Sequence, residues 1–359
     1  MEIKNILKSL ILIFLFIIMA NTKKAYSEPA DSVKLDLSKI YSLCLDGNVT
    51  PALEILSAID SSSLKDDDRK LKERFESRFK FEKDESGYLE NKRSDISDLL
   101  KIYQGYWRKS LLNNSGNYDD ELIKDLSVFL KSDENSDSIN IQLKNYISSF
   151  GMRTTGFGRT GKLLDLLVWS SETDTNYSIS LHEEKINVNV VFMESFVTLG
   201  WEEYATMERY YPGGWTTKES LFCVKSAYDL NSEGFKISYL AHEGRHFSDY
   251  KIFPKLTSAD LEYRAKLTEL SMAKETLIRT INFFINNANY EGNNGHSVAN
   301  YCVIRDLSKK LFNSDFEKDI KKWEQIKIED INDAAYAILN ENTKTLKKLG
   351  PDVEKYIKN

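Results

Sequence analysis

The stretch Phe235-Lys236-Ile237-Ser238-Tyr239-Leu240-Ala241-His242-Glu243-Gly244-Arg245-His246-Phe247-Ser248-Asp249-Tyr250 decides how this chain is read. At its centre stands H-E-x-x-H. Residues four apart on an α-helix lie one turn apart on the same face, so His242 and His246 can aim two imidazole nitrogens at one metal ion. Glu243 projects about 100° round the helix from His242. That sets it beside such an ion, where a general base for an activated water belongs. Zinc suits imidazole ligands, and a catalytic zinc keeps one position open. The chain has four histidines, and two of them fall within these five residues. Gly244 costs a helix interior about 1 kcal/mol relative to Ala, so a purely structural helix has little reason to carry it. The competing reading is two surface histidines on an amphipathic helix.

A third ligand is expected downstream. Pro254 should end the first helix or lie just beyond it. Thr257 is the expected N-cap of a second helix, with Asp260 as a weak capping-box partner, and that helix should run from about 258 towards 286. Glu262, Lys266 and Glu269 share one of its faces at i, i+4 and i+7. Two helices joined by a short loop pack side by side, so a carboxylate in the first turns of the second can reach the ion.

With Glu262-Tyr263-Arg264-Ala265 following the H-E-x-x-H helix, the sequence resembles the zinc metallopeptidases called gluzincins. The resemblance covers about 70 of the 359 residues, and of its motifs only the first is highly specific. It implies a zincin-like metallopeptidase domain with Zn2+ as cofactor and Glu262 as third ligand. It also implies a small sheet whose edge strand binds extended peptide by backbone pairing. Many members carry an acid four residues after the third ligand to orient a zinc-bound histidine. Lys266 occupies that position here, leaving Glu269 as the substitute. Whether Glu269 replaces Glu262 as the ligand stays open. In such peptidases a His or Tyr from a later helix often donates to the oxyanion. His296, at the start of a segment that reads as helical to Leu307, is the first candidate and Tyr301 the second. The competing reading of His296 is a surface residue at a helix start.

Residues 1–27 read as a signal peptide. Lys4 and Lys8 precede the apolar run Leu10–Ala20, which is short for a membrane span, and Ala25-Tyr26-Ser27 is a small-x-small cleavage site. An uncleaved anchor is the alternative. Either way the rest of the chain is expected to be exported, to the periplasm or outside the cell, and cleavage would leave no stable membrane span.

Residues 28–150 read as an α-helical domain and 151–359 as the metallopeptidase domain, so the whole is α+β. Thr50-Pro51 should open a helix, with Thr50 as N-cap. Further helical patterns lie at about 94–112, 119–131 and 138–149, separated by polar turns. Gly156-Phe-Gly-Arg-Thr-Gly161-Lys162 matches the start of a phosphate-binding loop, but Leu163 stands where Ser or Thr is required; it reads as a glycine-rich turn. Tyr177, Ile179 and Leu181, then Ile186, Val188, Val190 and Phe192, alternate with period two, predicting a hairpin that turns at 182–185. His182, at that turn, reads as a surface residue. Tyr210-Tyr-Pro-Gly-Gly-Trp215 reads as a structured aromatic loop near the cleft or as a small aromatic core. Segments 221–225 and 227–230 could form a further strand. Two polar-faced helices should follow from about 319.

The formal net charge is -6, which argues against a dedicated nucleic-acid binder. Cys44, Cys223 and Cys302 allow either one bridge, Cys223 with Cys302, or three free thiols. Three functions fit: a zinc peptidase acting on protein or peptide, a non-catalytic helical interaction protein with a structural or vestigial metal site, or a zinc amidase acting on cell-wall peptide. Glu243 weighs against the second, because a structural site needs no base.

Overall fold

The computed structural model describes residues 34–90, 92–113, 115–291 and 294–357. The expected signal peptide lies outside them. Six helices come first: α1 (Leu37–Leu45), α2 (Thr50–Ser57), α3 (Asp66–Phe79), α4 (Ser97–Leu112), α5 (Asp119–Leu130) and α6 (Ser136–Ser148). Then come β1 (Arg153–Thr154), β2 (Gly158–Thr160), β3 (Leu163–Asp165), β4 (Leu167–Ser180) and β5 (Lys185–Leu199). The chain continues through α7 (Trp201–Ala205), β6 (Gly214–Thr216), β7 (Ser220–Val224) and a π-helix (Gly234–Ala241) that runs straight into α8 (His242–Ile252). It closes with α9 (Ser258–Met272), α10 (Leu277–Asn286), α11 (Gly295–Phe312), α12 (Ile320–Trp323) and α13 (Ile328–Leu349). The architecture is therefore mixed α and β. No helix among the described residues is long and apolar enough to cross a membrane.

The main sheet has the order β1-β4-β5-β7-β6, antiparallel throughout except for the parallel β5–β7 pair. The alternation around 177–192 marks the inner part of the β4–β5 hairpin, which pairs Ile179 with Ile186 and Ser180 with Lys185. Its inward side chains, Ile179, Val188, Val190 and Phe192, pack with Leu221 and Cys223 of β7 against Phe235 and Tyr239 of the π-helix. The glycine-rich turn joins β2 to β3 as a separate two-stranded hairpin, not a strand-loop-helix, which agrees with setting phosphate binding aside. The first-half core built by α1–α6 continues into Met152, Leu163, Leu164, Leu166 and Trp201–Met207. A second core joins α9, α10, α11 and α13 around Trp323.

Three local expectations need correction. Thr50 is not an N-cap: its hydroxyl donates to the Leu112 carbonyl at 2.9 Å, joining α2 to α4, while Pro51 occupies the first turn. Segment 227–230 is not a strand, because a 3-10 turn over Lys225–Ala227 leads out of β7. The expected helix from 258 to 286 is two helices. Glu233 reaches across from 40 residues upstream, and its carboxylate accepts the N–H groups of Lys274, Glu275 and Thr276 at 2.8–3.1 Å and the Thr276 hydroxyl at 2.7 Å. Those N–H groups belong to the bend at 274–276 that separates α9 from α10, where Thr276 stands at the N-cap position without a side-chain capping bond of its own. Of the two readings of the cysteines, three free, buried thiols is the one found.

Thr257 does cap α9, accepting from the Asp260 N–H, and Pro254 lies just beyond α8. Every residue of α9 from Asp260 to Ser271 is buried. Its Arg264 meets Asp249 of α8 through Nε–Oδ2 at 2.7 Å and Nη2–Oδ1 at 2.9 Å, with exposures of 1% and 0%. Breaking a buried pair by deleting one partner leaves an uncompensated charge and costs about 3–5 kcal/mol. Asp249→Ala should lose stability in that range by urea unfolding; a loss below about 1 kcal/mol, the scale of an exposed pair, would refute the assignment of this pair as the clamp.

Candidate metal centre

α8 and α9 run side by side and bring three donors together. His246 Nε2 lies 3.2 Å from Glu262 Oε1, and His242 Nε2 lies 3.5 Å from Glu262 Oε2. One ligand atom from each of the three residues falls within 4.8 Å of the others, and all three side chains are buried. The two imidazoles, one helical turn apart, have ring centroids 4.9 Å apart. Glu262 Oε2 is buried and accepts no aligned hydrogen bond, although His296 Nδ1 is 3.0 Å away. A buried acceptor left unmet costs about 1–3 kcal/mol; a bound cation would satisfy it. Two imidazoles and a carboxylate therefore fit a divalent metal ion.

Glu269, three residues beyond Lys266 on α9, places Oε2 3.6 Å from His242 Nδ1. It is thus beside a candidate ligand histidine, where an orienting acid belongs. Lys266 sits with Nζ 3.6 Å from Glu262 Oε2 and 4.7 Å from the Phe284 ring centroid. It neutralises one acid and rests on an aromatic face. Burial acts to lower the His242 pKa, but the Glu262 and Glu269 carboxylates beside it outweigh burial and hold the imidazole up to about 10. Burial likewise acts to raise Glu262, but His296, His242 and His246 hold its carboxyl well below the usual range.

Glu243 stands apart from the three donors. Its Oε2 accepts a hydrogen bond from Thr216 Oγ1 of β6 at 2.5 Å, and its side chain lines a cavity of about 760 Å³. Tyr228, Trp215, Tyr250 and His296 line the same cavity. Gly244 is explained by packing: a Cβ there would come within 3.0 Å of Ile186 Cδ1 and 3.2 Å of Ile179 Cδ1. Glycine lets α8 lie directly on the β4–β5 hairpin. Arg245, 3% exposed, reaches the tip of that hairpin, with Nη2 2.9 Å from Glu183 and Nη1 3.3 Å from Glu184. The sequence marks 182–185 only as a turn; its acids hold the helix that carries the histidines.

Of the later candidates, His296 is at the site and Tyr301 is not. Tyr301 packs between the rings of Tyr290 and Phe316 at 4.9 and 5.1 Å, on the edge of the helical core. Five residues along α11 turn it about 140° from His296, so the two cannot serve one site. His182 is exposed, as expected, with Nε2 2.9 Å from Ser271 Oγ and its ring against Tyr336. The strand at 186–193 is interior, paired with β4 on one side and β7 on the other; the outer strand beside Glu243 is β6. Sequence reasoning missed Tyr250 and Tyr228. Tyr250 was legible, since it lies four residues after His246 and stacks on it at 6.3 Å. Tyr228, on the irregular segment after β7, carried no signal.

Comparison of the chain with family models, with curated proteins and with solved structures gives no match.

Metal must displace the His242 proton. Uptake of Zn2+ by stripped protein should release protons and weaken as pH falls from about 8 to 6, measured by calorimetry in buffers of different ionisation enthalpy. Without metal the sign reverses: a pKa raised to about 10 stabilises the fold fully below the unfolded value and fades as pH rises through 10. Uptake with no proton release would contradict this assignment.

Proposed function

We propose that this chain is an exported zinc metallopeptidase of the gluzincin type, hydrolysing peptide bonds with Glu243 as general base. One observation carries the reading: His242, His246 and Glu262 converge on one point while Glu243, the neighbour of a ligand, turns instead to the cavity and Thr216. A site built only to hold metal has no use for that carboxylate. Zinc suits the two imidazoles and one carboxylate, with Glu269 orienting His242. When bound, the ion supplies Lewis acidity, polarising a carbonyl and lowering the pKa of water.

The protein's own groups do the rest. Glu243 takes the proton of the attacking water and passes it to the leaving amine. The Thr216 hydroxyl fixes its carboxylate. β6 pairs with β7 on one side and offers the other to an extended peptide for backbone pairing. His296, 63% exposed in its side chain and at the cavity wall, donates to the carbonyl oxygen as it gains charge.

Glu243→Gln should keep fold and metal yet lower turnover of a casein or peptide-library substrate by about 10²–10⁴-fold. His296→Phe should cost on the order of 10²–10³-fold. His246→Ala should lose the metal itself. Undiminished cleavage by metal-loaded Glu243→Gln would end this mechanism and favour a binding protein.

A further inference from the structure

The cavity at Glu243 is also lined by three acids that the mechanism above does not use: Asp46, which Lys162 counters, Asp165 at the end of β3 and Glu202 in α7. Asp165 is 2% exposed. Its Oδ1 accepts the Leu166 and Trp201 N–H groups, both at 2.9 Å, and so holds the start of α7. Its Oδ2 has no hydrogen-bond partner. Gly200 gives this carboxylate its room, since a Cβ there would lie 2.4–2.5 Å from both oxygens, and its φ of +91 also favours glycine. The Glu202 carboxylate forms no ion pair among the described residues, and the charged group acting on it is Asp165, another acid. Burial and this repulsion push Glu202 up to about 8, and burial pushes Asp165 up to about 6. Of the basic side chains of the adjoining hairpin, Arg159 is engaged with Asp119 and Lys162 acts on Asp46.

Asp165 is buried and Glu202 half-buried, and neither has a counter-ion among the described residues, which is costly unless something positive arrives. Among the described residues the set of three or more side chains suited to a metal is the one at His242, so a second metal ion is not the best occupant here. The lining also includes Tyr210-Tyr211-Pro212-Gly213-Gly214-Trp215, which leads into β6.

We infer that Asp165 and Glu202 form a subsite for the cationic group, ammonium or guanidinium, of an extended peptide lying in the cavity. The Glu202 carboxylate accepts its N–H groups, and the nearby Asp165 charge, whose Oδ2 is itself shut off from solvent, adds to the attraction. The inference rests on the peptidase reading for the peptide nature of the ligand, and it names the substrate class: peptides bearing a positive charge at one fixed distance from the scissile bond.

The test uses full-length, zinc-loaded Glu243→Gln protein and titration calorimetry. The probes are short alanine peptides, blocked at both ends, with one lysine or one norleucine at each position in turn, and one with a free N-terminus. The lysine at one position, or the free N-terminus, should bind about 10–100-fold more tightly than its uncharged counterpart, the scale of charged hydrogen bonds. Which arm responds identifies the source of the charge. Adding Glu202→Gln should abolish the preference while metal content and melting temperature stay the same; Asp165→Asn, whose amide oxygen still accepts the Trp201 N–H, is the second variant. Equal affinity for charged and uncharged peptides, no binding by any peptide, or a preference that survives both substitutions overturns the subsite. A preference lost in Glu202→Gln, in a wild-type protein that cleaves nothing, supports the subsite and removes the peptidase reading. Cleavage by wild type without any charge preference does the opposite.

Discussion

Arg264 and Asp249 meet inside the protein through two side-by-side N–H···O bonds, and the position of the candidate metal centre depends on them. Asp249 comes three residues after His246, and Arg264 two residues after Glu262. Pairing the two therefore fixes how α8 and α9 slide and turn against each other. A planar guanidinium holding a carboxylate by two bonds tolerates little displacement. The remaining guanidinium nitrogen is bound by Asn342 and Thr343 of α13, so the third helix is registered by the same group. The consequence is that Glu262 faces both imidazoles.

α9 is an unusual helix to place in a protein interior. Asp260, Glu262, Arg264, Lys266 and Glu269 are all buried. Each charge has a named partner. Asp260 Oδ1 accepts the backbone N–H groups of Tyr356 and Ile357, tying down the C-terminal segment. Glu262 faces three histidines and Lys266, and Glu269 faces His242. Apolar side chains of the same volume would hold such helices together at least as well. The charges make sense as a scaffold for a site in which donors must be held in low dielectric and in fixed orientation.

The sheet completes the arrangement from the other side. The β4–β5 hairpin supplies Ile179 and Ile186 as the surface on which Gly244 lies, and its tip supplies the acids that hold Arg245. β6 supplies Thr216 to the Glu243 carboxylate. The π-helix leading into His242 sits on this same sheet through Phe235 and Tyr239. Wider turns of this kind are rare and are often found at functional sites.

What the amino-acid sequence determined by itself was local and periodic. The spacing of His242 and His246 put two imidazoles on one face. Alternation from Tyr177 to Phe192 announced the hairpin, and Thr257 with Pro254 marked where one helix stopped and the next began. Even Glu262 and Glu269 were legible as one face of a helix. What only tertiary structure decided were relations between distant residues. Glu233 splits a continuous helical pattern because its carboxylate arrives from another element. Tyr301 leaves the site because five residues of helix turn it away, while His296 stays. β5 is interior because β7 pairs with it in parallel, a crossover that no local pattern encodes. Asp165 and Glu202 share a cavity with Glu243 only after the chain has folded. Hydrophobic period and capping act over a few residues; charge pairing and burial act across space, and they brought these groups together.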